Sequence, residues 1–121
     1  MNNKEKGLML IPKYSKYMEY IINLILKLPR TEKFNIGNEY KNIMYMAFEN
    51  IMYINKLENK YRLFYLNKID AELNIQRVLL RIMNNNRWID ERKFNIAINY
   101  IGEIGKILGG LIKVYGKNNS K

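Results

Sequence analysis

Residues 14–28 read YSKYMEYIINLILKL, and this segment decides the fold because its apolar side chains recur at helical spacing. They fall at i, i+3, i+4 and i+7 intervals, which gather on one face of an α-helix and leave the charged residues on the other. Pro29 follows at once, and the residue before a proline is disfavoured in helical geometry. The segment therefore predicts an amphipathic helix with one buried face. Its predicted buried residues are Tyr14, Tyr17, Met18, Ile21, Leu24, Ile25 and Leu28.

Three further segments repeat this pattern in a chain of 121 residues, which is enough for one compact domain and too short for two. Asn35 is a suitable N-cap for the second segment, and Asp90 with Glu91 supplies a cap and an acid for the fourth. No stretch alternates as a strand would, so we expect an all-α, up-down-up-down four-helix bundle. The predicted helices span about 13–28, 35–58, 62–83 and 90–115, with flexible ends at 1–7 and 116–121.

The third and fourth predicted helices carry more apolar surface than one core requires. Large apolar patches rarely stay exposed, so this surplus predicts self-association. The alternative is that an isoleucine-rich chain produces such stripes by chance. The second stripes are Phe64, Ala71, Ile75, Val78 and Ile82 on the third helix, and Ile96, Tyr100, Ile107 and Val114 on the fourth.

Four glycines interrupt the last predicted helix, within YIGEIGKILGGL at residues 100–111. Each interior glycine costs a helix roughly 1 kcal/mol relative to alanine. Gly105 and Gly109 lie at the edge of the core stripe, where small residues would let another backbone approach closely. We therefore interpret them, with Tyr100 and Ile107, as residues of a helix-helix or subunit contact. The alternative is a kink or an early helix end at Gly109 and Gly110.

The chain contains no cysteine and no histidine, which removes thiol nucleophiles, imidazole metal ligands and the commonest general base. Glu39, Glu49 and Glu72 are predicted on polar helix faces, so a carboxylate-bridged metal site is not expected. The glycines lack the following Lys-Ser/Thr pair of a phosphate-binding loop. We expect no catalytic residues, no metal and no cofactor. The apolar patch at residues 8–12 is too short for a signal peptide or a membrane span, which favours a cytoplasmic protein without membrane association.

The net charge is +10, from 21 basic and 11 acidic residues, and such an excess favours a polyanionic partner. Residues 34–60 hold as many acidic as basic residues, so the excess lies elsewhere. The alternative is a basic surface that only keeps the protein soluble.

Arg77 and Arg81 are the first candidates for nucleic-acid or protein binding, because they share one helical strip with Asp70 and Asn74 and stand one turn apart. Planar guanidinium groups suit phosphate, but Arg77 could instead pair with Asp70 or with a neighbouring helix and only solvate the surface. A second basic cluster lies in the first connection, with tyrosines and Phe34 near enough to stack on bases. For Phe34 itself, we expect the alternative, in which the ring packs into the core. The remaining candidates are Lys27, Arg30 and Lys33 of that cluster, and Arg87.

Three stretches together resemble the accessory variability determinant (Avd) proteins of diversity-generating retroelements. Residues 8–37, LMLIPKYSKYMEYIINLILKLPRTEKFNIG, are similar to the family's opening, and residues 80–95, LRIMNNNRWIDERKFN, are similar to its third connection. EIGKILGGL at residues 103–111 resembles its Glu-Ile-Gly-x-x-Leu-Gly-Gly-Trp ending. The resemblance covers residues 8–113. The chain departs from the family at Leu28 in place of Phe, Glu39 in place of a basic residue and Leu111 in place of Trp.

The resemblance implies a four-helix bundle that forms a barrel-shaped homopentamer and binds RNA or DNA without enzymatic activity. It also implies association with the retroelement's reverse transcriptase, which copies a template RNA with errors at adenines. Arg77 and Arg81 match the arginines of the family's Leu-Arg-x-x-x-Arg segment. A related alternative is a stand-alone RNA-binding bundle of the type encoded in ribosomal RNA intervening sequences. The neighbouring genes distinguish the two, since only the first requires a reverse transcriptase.

Overall fold

A computed structural model describes residues 3–119, with side chains from Gly7 to Lys117, and this part of the chain contains helices and no strands. The helices are α1 (Asn3–Leu26), α2 (Arg30–Phe34), α3 (Ile36–Ile54), α4 (Asn59–Asn85) and α5 (Glu91–Asn119). The four long helices pack in a ring in which α1 contacts α3 and α5, and α4 contacts the same two helices. Residue contacts run in opposite directions along every neighbouring pair, as in Gly105 against Arg77 and Gly116 against Leu63. The predicted all-α four-helix bundle is confirmed.

Several helix bounds differ from the prediction. α1 begins at Asn3 and continues through Pro12, since the buried side chains of Leu10 and Tyr14 on either side of the proline hold this segment on the core. α5 continues through all four glycines to Asn119, so the alternative of an early helix end at Gly109 and Gly110 is wrong. Residues 3–7 and 116–119, which were predicted as parts of flexible ends, are helical, and residues 1, 2, 120 and 121 lie outside the described part.

Two of the three connections are longer than the sequence indicated, and the first contains a further short helix. α3 ends at Ile54, and a five-residue helix, α2, fills the first connection after Pro29. Gly37 is required there, because a Cβ at this position would lie 2.9 Å from Ile25 Cγ2 and 3.3 Å from the Glu32 carbonyl oxygen. Asp90 caps α5 as predicted, since its Oδ1 accepts a hydrogen bond of 2.8 Å from the Lys93 amide.

The core confirms the predicted main stripes, and the polar residues inside it were not predicted. Tyr14, Tyr17 and Tyr40 are fully buried together with Leu66, Leu73 and Leu80 of α4. Gln76 is fully buried among them, and Glu72 is 7% exposed, so the expectation that Glu72 lies on a polar face is wrong. Asn50 Nδ2 donates a hydrogen bond of 2.9 Å to Glu72 Oε1, which provides the carboxylate with a polar partner.

One chain of hydrogen bonds crosses the core from α3 through α1 and α4 and back to α3. The Tyr40 hydroxyl bonds to the Tyr17 hydroxyl, which donates to Gln76 Oε1 at 2.5 Å. Gln76 Nε2 donates to the Tyr14 hydroxyl at 3.2 Å, and that hydroxyl donates to the Met44 carbonyl at 2.7 Å. Among the described side chains, no buried nitrogen or oxygen lacks a partner. The network therefore offsets the cost of placing polar groups in the core.

Burial raises the pKa of the tyrosine hydroxyls in this network above the ordinary value of 10.0. The cause that contributes most to the raised pKa of Tyr14, Tyr17 and Tyr40 is desolvation, which penalises the phenolate. The hydroxyls consequently remain protonated at neutral pH and keep their roles as donors.

The position of a tyrosine in this hydrogen-bond network should decide how much its hydroxyl contributes to the stability of the protein. Tyr17→Phe removes a central link and leaves the Tyr40 hydroxyl and Gln76 Oε1 without partners, so we expect a loss of about 2–4 kcal/mol in unfolding free energy. Tyr40→Phe makes the same chemical change at the outer end of the hydrogen-bond network, with an expected loss of about 1 kcal/mol in unfolding free energy. Urea unfolding followed by Trp88 fluorescence measures both. Equal losses would contradict the proposed order of donors.

Candidate nucleic-acid interface

Arg77 and Arg81 lie one turn apart on α4 as predicted, but their surroundings differ. Arg77 is half-buried, and its Nη1 donates a hydrogen bond to Asn74 Oδ1. Arg81 is exposed. Among the described residues, Arg77 forms no ion pair with Asp70, which was the alternative partner. Arg81 is thus the more accessible of the two guanidinium groups.

The Arg77 guanidinium occupies space that Gly105 leaves open on α5. A Cβ on Gly105 would lie 2.9 Å from Arg77 Nη2, so the glycine permits this side chain to lie across the neighbouring helix. Gly105 therefore makes a helix-helix contact within the chain. Gly109 is exposed, and a Cβ there would meet nothing within 4 Å, as at Gly102 and Gly110. The fold of a single chain does not require glycine at these three positions.

The other two predicted packing residues lie on a different side of α5. The Tyr100 ring packs against Tyr17 and Tyr20 of α1, with centroids 6.3 Å and 5.6 Å apart. Ile107 is half-buried against the core. Of the four residues proposed as one contact, Gly105 thus faces α4 and Tyr100 packs on α1, while a Cβ on Gly109 would meet no other helix within 4 Å.

The first connection presents its basic residues at one end of the bundle. Lys27 and Arg30 are exposed, and Lys33 is half-buried in the last turn of α2. Phe34 beside them is 66% exposed, so the expectation that it packs into the core is wrong. The cause is α2 itself, a short helix in which no residue is buried and which leaves this ring outside the bundle.

Arg87 occupies a strained position just after α4. Its φ is 60°, in the left-handed region where glycine is favoured, and it is exposed. The Arg87 amide bonds to the Asn84 carbonyl at 3.0 Å and the Trp88 amide bonds to the Met83 carbonyl at 2.9 Å. This is the Schellman arrangement that ends many helices, with arginine where glycine is usual. The left-handed backbone costs a non-glycine residue about 1–2 kcal/mol.

The fold brings the two basic connections together. α1 and α4 run in the same direction, because each is antiparallel to α3, so both helices end at the same end of the bundle. Lys27, Arg30 and Lys33 therefore share an end with Arg87, and Arg92 and Lys93 begin α5 there. Glu32, Asp90 and Glu91 are acidic residues at this end. We call this region, with its six basic residues, the basic end.

Within the part of the chain that the structure describes, a stripe of apolar side chains on α4 is exposed to solvent. Phe64 is 68% exposed and Val78 is 55% exposed. This is the second stripe predicted from the sequence, which confirms that α4 has apolar residues on two sides. All five members are exposed, namely Phe64, Ala71, Ile75, Val78 and Ile82.

The seam between α1 and α5 holds residues that sequence reasoning did not single out. Lys13 and Lys16 line an open cavity of about 420 Å³ with Tyr100 and Glu103, and Lys13 Nζ lies 3.4 Å from Glu103 Oε2. The available signal was the position of both lysines at the polar edge of the first amphipathic stripe. No sequence pattern on one helix indicates which residues of another helix lie beside it.

The side chains that the structure describes include no group of three or more acidic residues arranged to hold a metal ion. None of the helices between residues 3 and 119 combines the length and apolarity that crossing a membrane requires.

Comparison with known proteins agrees with this picture of a small basic helical protein. Searches of curated proteins and of solved structures gave no significant match. Among models of protein families, the one described as bAvd-like matches residues 8–115, nearly the full length of the bundle. The chain belongs to the bAvd-like family.

Proposed function

We propose that this protein is a non-catalytic accessory subunit of a diversity-generating retroelement, which binds nucleic acid and the reverse transcriptase during mutagenic copying of template RNA in the cytoplasm. Avd-type proteins are accessory proteins of a non-catalytic kind. The observation that carries the proposal is the basic end, where side chains from two separate connections present positive charge to one partner. A net charge of +10 supports a polyanion as that partner.

Within this proposal, Arg81 and the basic end contact phosphates of RNA or DNA, or acidic groups of the reverse transcriptase. Arg81 is exposed one turn from the half-buried Arg77, so the pair offers one free guanidinium and one held against Gly105. A guanidinium already held in place loses less side-chain entropy when a ligand binds. Both arginines therefore suit phosphate recognition, Arg77 by its fixed position and Arg81 by its accessibility.

We further propose that the chain assembles as a homopentamer through the apolar stripe of α4. The five exposed side chains of that stripe form the kind of apolar surface that a soluble protein covers by association. Gly102 and Gly109, which face open space, would allow another subunit to approach α5 closely. Five copies would carry a charge of about +50, which strengthens attraction to a polyanion.

The nucleic-acid part of the proposal is tested by measuring affinity for a structured RNA across a salt series. The logarithm of the binding constant should fall steeply with the logarithm of salt concentration, because bound lysines and arginines release counterions. Reversing Arg77 and Arg81 to Glu should flatten the slope by about 2. Lys56→Glu with Lys60→Glu is the charge-matched control, since both residues are exposed at the opposite end of the bundle. A slope near zero for the unmodified protein would contradict an electrostatic mode of nucleic-acid binding.

We expect Arg87 to lower the unfolding free energy of the protein and to strengthen its binding to RNA. Arg87→Gly relieves the left-handed backbone strain, so we expect the unfolding free energy to rise by about 1 kcal/mol. The same change removes a charge from the basic end and should weaken RNA binding. Arg87→Lys keeps both the charge and the strain, and should resemble the unmodified protein in urea unfolding and in RNA affinity. Undiminished RNA affinity in Arg87→Gly would exclude this residue from the interface.

Assembly is tested at Val78, in the α4 stripe. Val78→Glu places a charge on a surface that the proposed pentamer buries, and light scattering should then show a monomer that remains helical by circular dichroism. Lys56→Glu, outside the stripe, should leave the oligomer intact. Gly109→Leu tests close approach on α5 in the same way. A monomeric unmodified protein would refute the assembly.

A further inference from the structure

Three open cavities lie on the side of the bundle that α1 and α5 form. The largest, of about 420 Å³, lies between Met9 and Ile104, and a second of about 300 Å³ is lined by Ile96, Asn99, Tyr100 and Glu103. The third, of about 60 Å³, is bounded by Tyr20, Lys27 and Lys93. The first two cavities share Tyr100 and Glu103, and the third lies nearer the end of α1 and the start of α5. We call the shallow groove that they form together the α1–α5 groove.

Tyrosine rings form part of the wall of the α1–α5 groove. Tyr100 lines the first two cavities and Tyr20 lines the third, and their ring centroids are 5.6 Å apart at an angle of 38°. Both residues are half-buried, which fixes the rings while leaving part of each accessible. The Tyr20 hydroxyl donates a long hydrogen bond of 3.4 Å to the Lys93 carbonyl. Rings already fixed in this way can stack on a planar ligand at low entropic cost.

Lysines lie at both ends of the same groove. Lys13 and Lys16 line the largest cavity, and Lys27 and Lys93 line the smallest. The acidic residue that lines the groove is Glu103, whose side chain is 63% exposed and pairs with Lys13. Four positive charges against one negative charge favour a ligand with regularly spaced anionic groups.

We propose that the α1–α5 groove binds single-stranded nucleic acid, with phosphates on the lysines and unpaired bases against Tyr20 and Tyr100. This inference rests on the proposed function and names the site and strand form that it uses. Rings recessed between two helices can stack only on bases that leave a duplex, because paired bases present their edges and backbone. Lys13 and Lys27 are separated by about 21 Å of helix, which matches roughly six nucleotides at a stacked spacing of 3.4 Å per strand.

The proposed contacts between the groove lysines and phosphates are tested by measuring affinity for a fluorescent 12-nucleotide oligouridine RNA across a salt series. Lys13→Gln with Lys16→Gln should lower the salt slope by about 1.4, because each lost phosphate contact on a single strand contributes about 0.7. Lys56→Gln with Lys60→Gln removes the same charge outside the groove and should leave the slope within about 0.3 of the original value. Glu103→Gln should raise the affinity, since it removes the acid and frees Lys13.

The proposed stacking of bases on Tyr20 and Tyr100 is tested by comparing affinity for the oligouridine with affinity for a 12-base-pair RNA duplex. Tyr100→Leu and Tyr20→Leu should each weaken oligouridine binding by about 5- to 150-fold, the range of losses when a stacking ring is removed, with little change for the duplex. Tyr100→Phe and Tyr20→Phe retain the ring and should retain affinity. Thermal melts by circular dichroism identify any variant that unfolds, and the variants at Lys13 and Lys16 then decide the question.

The results separate this inference from the proposed function. If the unmodified protein binds neither RNA, the nucleic-acid role fails and the inference fails with it. If it binds RNA while the groove variants match the Lys56 and Lys60 control, the strand lies elsewhere and only the inference is overturned. The inference is also overturned if the groove variants keep full RNA affinity but lose capture of the reverse transcriptase, since the groove would then be a protein contact.

Discussion

The hydrogen-bonded chain from Tyr40 through Tyr17, Gln76 and Tyr14 to the Met44 carbonyl is the constraint on which the rest of the structure depends. Apolar packing alone would tolerate a slide of one helix along another, because isoleucine and leucine side chains have no directional partners. A buried donor must meet its acceptor within hydrogen-bonding distance, and leaving it unmet costs about 1–3 kcal/mol. The hydrogen-bond network therefore fixes how α1, α3 and α4 are aligned along the bundle axis. Burial keeps the tyrosine hydroxyls of this network protonated.

This fixed arrangement decides which surface residues become neighbours. With α1 and α4 parallel, the connections that follow them meet at one end and gather six basic residues there, although the two connections are more than 50 residues apart in the sequence. With α1 and α5 antiparallel, Tyr20 and Tyr100 meet in the seam between lysines of both helices. The two surfaces are continuous through Lys27 and Lys93, which belong to both. A nucleic-acid strand held in the groove would thus lead directly to the basic end.

Several residues lower the stability of the single chain without a compensating contact among its described residues. Arg87 holds a left-handed backbone conformation that glycine would adopt without strain, and Gly102 and Gly109 weaken a helix where a methyl group would meet open space. The apolar stripe of α4 remains in contact with solvent. Such conflicts between local preference and structure are expected where a protein meets its partners. They fall on the surfaces to which we assign nucleic-acid binding and assembly.

The sequence by itself determined the helical class, the main buried stripe of each long helix, the cap at Asp90 and the double apolar character of α4. These features follow from spacing along one helix, and spacing is visible in a single chain. The tertiary structure decided that Gln76 and Glu72 are buried, that Phe34 is exposed, that Arg77 lies over Gly105 and that Lys13 and Lys16 line a groove with Tyr100. The helical bounds near Pro12 and the glycines also depended on it, because packing on the core outweighed local propensity. Contacts between helices depend on their rotation and relative height, and those are set only when the buried polar groups find one another.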